Sequence, residues 1–160
     1  MGMVGLVVNT VLCEIVKNGR ILLQKKAEGK FGAGKWNGVG GKIHPNESPE
    51  DCAVRETFEE TGLKISNHIN SGVLHFYFGD RYTVDIVAHV FTTDSFTGMI
   101  KPSEEGTLHW FRIDEIPYND MWQDDIHWLP MLLAGKKFDG RFYFDEEGKK
   151  LIEFDLKEKI

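Results

Sequence analysis

At 160 residues, with 41% hydrophobic and 28% charged side chains, the chain has the length and composition of one globular domain spanning 1–160, which excludes general disorder. A net charge of −6 leaves no basic footprint for duplex nucleic acid, although a local basic patch still suits an anionic small molecule. Two cysteines, Cys13 and Cys52, without C-x-x-C spacing exclude a disulfide scaffold, and the opening stretch from Met1 to Cys13 is too short for a bilayer span and lacks the positive start of a signal peptide; the expectation is a monomeric, cytoplasmic protein with no membrane partner.

Two runs rich in Val, Leu and Ile, Gly5 to Val16 and Arg20 to Lys26, flank Lys17-Asn18-Gly19 and predict a β-hairpin. Gly29 to Gly41 holds six glycines in thirteen residues and predicts a loop that exposes its backbone. Ser48 as cap and Pro49 at the first helical position open a helix that Gly62 closes. Val73 to Phe78 and Tyr82 to Phe91 predict strands on either side of Gly79-Asp80, and Leu108 to Ile113 a further one. Trp128 to Leu133 predicts a second helix, with Pro130 in its first turn and Gly135 at its end. Arg141 to Phe144 and Leu151 to Leu156 flank Asp145-Glu146-Glu147-Gly148 as a terminal hairpin. Many strands with two separated helices predict a mixed α/β (α+β) sandwich.

In the helix over 49–61, Val54, Thr57, Phe58 and Thr61 share one face at 100° per residue, with Glu56, Glu59 and Glu60 nearly opposite. The apolar-bearing face is the one expected to turn inward. Glu56 neighbours Glu59 and Glu60 at i+3 and i+4, and two of the three lie in the last turn, where the dipole disfavours anions; each effect costs about 0.3–0.5 kcal/mol. The crowding is explained if a divalent cation completes it, and carboxylates without a His or Cys cluster select Mg2+ or Mn2+. The same charge geometry also fits a solvated acidic face. The preceding segment shifts the balance. From Gln24 to Lys42, Lys25, Lys26, Lys30, Lys35 and Lys42 stand against Glu28 alone. A basic, glycine-rich loop running into an acidic helix fits a metal-bound polyphosphate, with loop N–H and ammonium groups on the phosphate oxygens. The histidines 44, 68, 75, 89, 109 and 127 show no metal-ligand spacing and are read as structural or exposed.

Written out, Gly41-x5-Glu47-x7-Arg55-Glu56-x-x-Glu59-Glu60-x-Gly62-Leu63 resembles the 23-residue signature of the Nudix hydrolases, departing from it at Thr57, where an aliphatic residue is usual. Three outer segments, Phe31 to Lys42, Asp120 to Asp125 and Lys136 to Phe144, resemble the oxidised-purine triphosphatase branch of that family. The resemblance implies an α-β-α sandwich with a central mixed sheet. It also implies Mg2+-dependent (or Mn2+-dependent) hydrolysis of an oxidised purine nucleoside triphosphate to the monophosphate and pyrophosphate, with a role in nucleotide-pool sanitation. It places the metal ligands at the Gly40 carbonyl, Glu56, Glu59, Glu60 and Glu105. The catalytic set is Glu56, Arg55, Glu59 and Glu47, with Glu56 the preferred base, Glu47 and Glu105 its rivals, and Arg55 orienting or balancing the acids. Base recognition falls on Asn37, Asp124 and Asp125, with Trp122 and Phe76 as aromatic walls. Further substrate contacts fall on Thr10, Lys26, Phe31, Gly40, Gly41 and Lys42. On composition alone Trp122 and Phe76 equally fit a core, Asn37 a turn, and Asp124 and Asp125 a helix cap. Other Nudix substrates (ADP-ribose, dinucleoside polyphosphates, capped RNA) and a non-catalytic nucleotide-binding regulator are the alternatives.

Overall fold

The first apolar run folds into the expected hairpin. β1 (Val8–Lys17) returns into β2 (Arg20–Lys26) through Asn18 and Gly19, whose φ values of 54° and 74° are those a tight hairpin turn requires. The computed structural model describes residues 6–101 and 103–160, so the Gly5 start of the first expected strand lies outside the described residues.

β1 and β2 pair only from Ile15–Leu22 to Lys17–Arg20 and then part. Two short strands fill the fork: β3 (Trp36–Asn37) pairs with β2, and β4 (Val39–Lys42) pairs with β1 from Cys13–Val39 to Thr10–Lys42. Residues 29–35 are the expected loop, while the end of the glycine-rich segment, 36–37 and 39–41, is therefore strand. The glycines serve close approach there: a Cβ on Gly40 would stand 2.0 Å from the Val11 carbonyl oxygen, and one on Gly41 would stand 2.5 Å from the Glu56 carboxyl carbon.

The rest of the chain comprises α1 (Pro49–Thr61), β5 (Lys64–Ser66), β6 (Ile69–Phe78), β7 (Ile86–Thr93), β8 (Ser95–Thr97), β9 (Gly106–Arg112), α2 (Asp125–Leu133), β10 (Lys137–Phe144) and β11 (Leu151–Lys159). Among the described residues nine strands form one mixed sheet in the order β11-β10-β6-β7-β1-β2-β3, with β4 on β1 and β9 on β2. The pairs β1–β7 and β6–β10 are parallel. The small β5–β8 sheet carries no sequence signal strong enough to have been foreseen.

Alternation along β1 builds a layer on each side. Val11, Cys13 and Ile15 join Ala53 and Leu63 beneath α1, while Leu12 and Val16 pack toward Trp128 and Leu129 of α2. The result is the expected helix–sheet–helix sandwich.

The ends of α1 are as read: Ser48 Oγ accepts the Asp51 N–H at 3.1 Å, and Gly62 closes the helix at φ 80°. Of the face expected to turn inward, Thr57 and Thr61 are buried and Val54 packs on the core, but Phe58 does neither. Phe58 is 56% exposed, whereas Cys52, Ala53, Thr57, Glu60 and Thr61 are buried. The helix is rolled so that Glu56 meets Gly41 and Glu60 faces inward, an arrangement that apolar periodicity does not predict.

Two further boundaries differ. The strand expected from Tyr82 begins at Ile86, because the Asp80 carboxylate accepts the Tyr82 N–H and the Asp85 carboxylate accepts the Phe78 N–H, both at 2.8 Å, holding the segment between as a turn. The second helix begins at Asp125, which places Pro130 inside it and not in its first turn. No helix among the described residues is long and apolar enough to cross a membrane.

Candidate active site

A cavity of about 480 Å3 opens in the fork of the sheet, bounded by β1, the β3–β4 segment and the start of α2. This size suits a nucleotide-sized ligand. Thr10, Lys26, Phe31, Asn37, Gly40, Gly41, Lys42, Glu56, Glu60, Phe76, Glu105, Trp122, Asp124 and Asp125 all line it. Of the residues the sequence nominated, Glu47, Arg55 and Glu59 do not.

Those three explain the acidic end from behind. Arg55 Nε and Nη2 bind both oxygens of Glu47 at 2.7 and 2.9 Å. Its Nη1 reaches Glu56 at 2.8 Å and Glu59 at 3.2 Å, and Nη2 also donates to the Lys42 carbonyl at 3.2 Å. The guanidinium, with the His44 N–H, holds the Glu47 carboxyl down to about 2. Glu59 is paired on the outer side of the helix, with its side chain 56% exposed.

Glu60 stands inside, 2% exposed, and its Oε1 has no hydrogen-bond partner. Burial and then the adjoining Glu56 push it up to about 9, against the pull of the Lys26 ammonium. Lys26 lies 4.0 Å from Glu60 and 3.5 Å from Glu105, and Lys30 lies 3.3 Å from the other Glu105 oxygen. Arg55 and Lys26 thus divide the carboxylates between them, and among the described residues no three acidic, His or Cys groups converge on a single ion position. The donor chemistry still suits a hard divalent cation: carboxylates beside a carbonyl, without imidazole or thiolate, and a buried carboxylate oxygen left unpartnered.

The opposite end is built differently. Asp124 and Asp125 are each 2% exposed. Asp124 makes no side-chain cap to α2; its Oδ2 accepts from the Trp128 indole N–H at 2.8 Å, which removes the helix-cap reading for this residue. Burial raises Asp124 above the usual carboxylate range, and burial, then Asp124 and then Glu14 raise Asp125 further. Asn37 accepts the Gly38 N–H on its amide oxygen at 2.9 Å, fixing the side chain at the fork.

Trp122 forms a wall of the cavity. Phe31 stacks on it at 5.2 Å, Phe144 meets it edge-on at 6.0 Å, and the Lys35 ammonium lies 5.5 Å from its ring centre. The loop passes close beneath: Gly32, at φ 80°, leaves only 3.1 Å between a would-be Cβ and the indole nitrogen. Phe76 stacks on core Phe142 at 6.0 Å, joining wall to core. Thr10 is engaged through its hydroxyl with the Val87 carbonyl on β7 at 3.1 Å.

Sequence reasoning passed over several neighbours. Phe78 and Trp128 line the cavity, and so does His44, read from sequence as structural or exposed; Lys30, of the basic loop, lines it as well. Glu14, buried behind the Gly38 wall, was also missed. A lone acid inside the apolar run Val-Leu-Cys-Glu-Ile-Val was its visible signal.

Residues 6–132 match the NUDIX domain. The chain is 40% identical over 145 residues to the oxidized purine nucleoside triphosphate hydrolase of Mus musculus, spanning 90% of each protein. It is 44% identical over 131 residues to the protein of the same name from Danio rerio, covering 81% of this chain and 82% of that one. The fold is similar to a MutT protein of Bacillus halodurans, with a TM-score of 0.84 at 25% identity over 94% of this chain and 97% of that one. The signature on α1, the fold and these relatives agree, and the chain belongs to the Nudix hydrolase family.

Proposed function

We propose that the protein hydrolyses oxidised purine nucleoside triphosphates such as 8-oxo-dGTP to the monophosphate and pyrophosphate, clearing damaged nucleotides from the pool. The observation that carries this reading is one cavity with lysines and carboxylates at one end and a buried aspartate pair beside an aromatic wall at the other. That layout matches the two halves of a purine triphosphate, and the relatives named above support it.

Mg2+, or Mn2+, would be held by Glu56, Glu60 and the Gly40 carbonyl, with Glu59 and Glu105 turning in from their cations; when bound it neutralises phosphate charge and lowers the pKa of a coordinated water. The chain's own groups do the rest. Lys26, Lys30 and Lys42, with the loop amides, bind the phosphate oxygens. Glu56 takes the proton of the attacking water. Arg55, anchored by Glu47, positions Glu56 and Glu59; bound on both oxygens, Glu47 is a holding group and not the base. Trp122, with Phe31 stacked against it, offers the base an aromatic platform, and Phe76 a second wall. Asn37, Asp124 and Asp125 read its edge. Oxidation at C8 turns guanine N7 from an acceptor into an N–H donor, and a carboxyl pair holding one proton offers both a donor and an acceptor.

The test is a nucleotide panel with and without Mg2+: 8-oxo-dGTP, 2-hydroxy-dATP, dGTP, ADP-ribose, a dinucleoside polyphosphate and capped RNA. The expected outcome is metal-dependent pyrophosphate release with a higher kcat/KM for the oxidised purines than for dGTP. A clear preference for ADP-ribose, the dinucleotide or capped RNA overturns the substrate while keeping the family chemistry.

A further inference from the structure

Glu14 stands at the point where the sheet forks, between Cys13, which pairs with Val39, and Ile15, which pairs with Leu22. Its neighbours on the same face of β1, Leu12 and Val16, pack into the core beneath α2, and Glu14 is itself 1% exposed. The carboxyl rests directly on the Gly38 backbone: a Cβ there would stand 1.8 Å from Oε1 and 2.6 Å from Cδ. Gly38 and the adjoining Asn37 line the cavity, so Glu14 is the layer immediately behind the wall that carries the Asn37 amide. Its Oε2 has no hydrogen-bond partner, and neither has Asp125 Oδ2. Among the described residues no lysine, arginine or histidine forms an ion pair with Glu14, Asp124 or Asp125, although Arg55 and Lys26 serve every acid at the other end.

We propose that Glu14 is the third acid of the base pocket, a positioning residue that backs the Asn37–Gly38 wall and, with Asp124 and Asp125, determines which purine edge the pocket accepts. The role rests on the oxidised-purine reading above. The titratable groups facing Glu14 are Asp125 and Tyr118, both raised in part by its charge, Asp124 beside Asp125, and the Cys13 thiol next to it on β1. All are acids, so nothing at hand favours an ionised Glu14, and burial pushes it up to about 8. Below that pH the pocket's negative charge belongs to the aspartate pair alone. Above it, ionised Glu14 makes the pair retain its proton more tightly, and the balance of donor and acceptor offered to the base edge changes.

Glu14→Gln keeps the shape and stays neutral; Glu14→Leu fills similar space without a polar atom. The readout is kcat/KM for 8-oxo-dGTP divided by kcat/KM for 2-hydroxy-dATP, a ratio in which the shared triphosphate chemistry cancels. Wild type and Glu14→Gln should give the same ratio at pH 6.5, where both side chains are neutral, and ratios at least about threefold apart at pH 9, with Glu14→Leu following Glu14→Gln there. Thermal melts add a readout without substrate. An acid raised in the folded state costs stability as pH climbs from its unfolded value of 4.5 to about 8, so wild type should lose stability relative to Glu14→Gln across that window and run parallel to it above. Parallel melts throughout, or a selective wild type whose ratio Glu14→Gln leaves unmoved at pH 9, overturn the role alone. A ratio already displaced at pH 6.5 assigns Glu14 a merely structural part and overturns it too. A wild type that hydrolyses neither nucleotide overturns the substrate reading, and the role with it.

Discussion

The two ends of the cavity hold the same kind of side chain under opposite regimes. Around α1, five carboxylates share three cations: Arg55 binds Glu47, Glu56 and Glu59, Lys26 stands by Glu60 and Glu105, and Lys30 also meets Glu105. Around the head of α2, three carboxyls are buried without any cation, and the bond they receive is a neutral one from the Trp128 indole. A guanidinium favours the ionised form, so Glu47 falls to about 2; burial favours the neutral form, so Glu14 rises to about 8. The difference suits two tasks. Polyphosphate and metal need fixed negative charge opposite fixed positive charge, whereas an oxidised base edge needs a group able to donate as well as accept.

The sharpest way to break the charged end is Glu60→Gln. It removes the buried acid next to Glu56 while keeping the volume, so the fold should survive and turnover should fall by about 10^2–10^3-fold, the scale of losing one preorganised electrostatic group. Steady-state kinetics with a Mg2+ titration and a melt check this; turnover within about threefold of wild type contradicts it.

Arg55→Ala leaves the cavity lining intact and removes the group behind it. An outer holding residue of this kind contributes about 10–100-fold. Arg55→Lys should not restore the activity, because a point charge cannot hold Glu47 on both oxygens and still reach Glu56 and Glu59. Full rescue by lysine reduces Arg55 to a counter-charge.

At the other end, Trp122→Ala removes the stacking wall. Base stacking is worth about 1–3 kcal/mol, so KM for a purine triphosphate should rise by about tenfold with little change in kcat. Inorganic tripolyphosphate, which has no base, should inhibit the variant as well as the wild type. A general loss of stability with kcat and KM both spoiled instead makes Trp122 a core residue.

The charged end was the more legible in sequence because its meaning lies in local spacing. Ser48, Pro49 and Gly62 fixed the limits of α1, and the glutamates stand where 3.6-residue geometry puts them. Which way the helix is rolled was not fully legible, since a half-buried Glu56 and a buried Glu60 contradict apolar periodicity and become reasonable only against the Gly41 backbone and Lys26. The end of the glycine-rich segment looked like a loop because glycines commonly mark turns; here Gly38, Gly40 and Gly41 mark close approach inside a forked sheet. Glu14 and Asp125 are 111 residues apart in the chain, and only the return of α2 to the β1 face brings them to one compartment. No local pattern encodes that meeting.

The smallest expected effect concerns the cost of the uncharged regime. Asp124 has an unfolded pKa of 3.8, raised by burial to about 6 in the folded protein. Between those values the unfolded chain has released its proton and the native protein still holds it, so stability falls as pH rises through the window and levels off above it. Asp124→Asn removes the titration and keeps an oxygen to accept the Trp128 N–H. The difference between variant and wild-type stability should therefore grow in the variant's favour from pH 4 to pH 7, by on the order of 1–3 kcal/mol, or roughly 3–8 °C in Tm for a chain of this size. Taking the difference cancels Glu47, whose lowered value acts with the opposite sign at more acid pH. Asp125→Asn should act in the same direction, and the double variant should gain less than the sum, because removing one carboxyl relieves the repulsion that raises the other. Melting curves that stay parallel from pH 4 to pH 8 would mean that the pair is ionised and solvated, and the contrast between the two ends of the cavity would collapse.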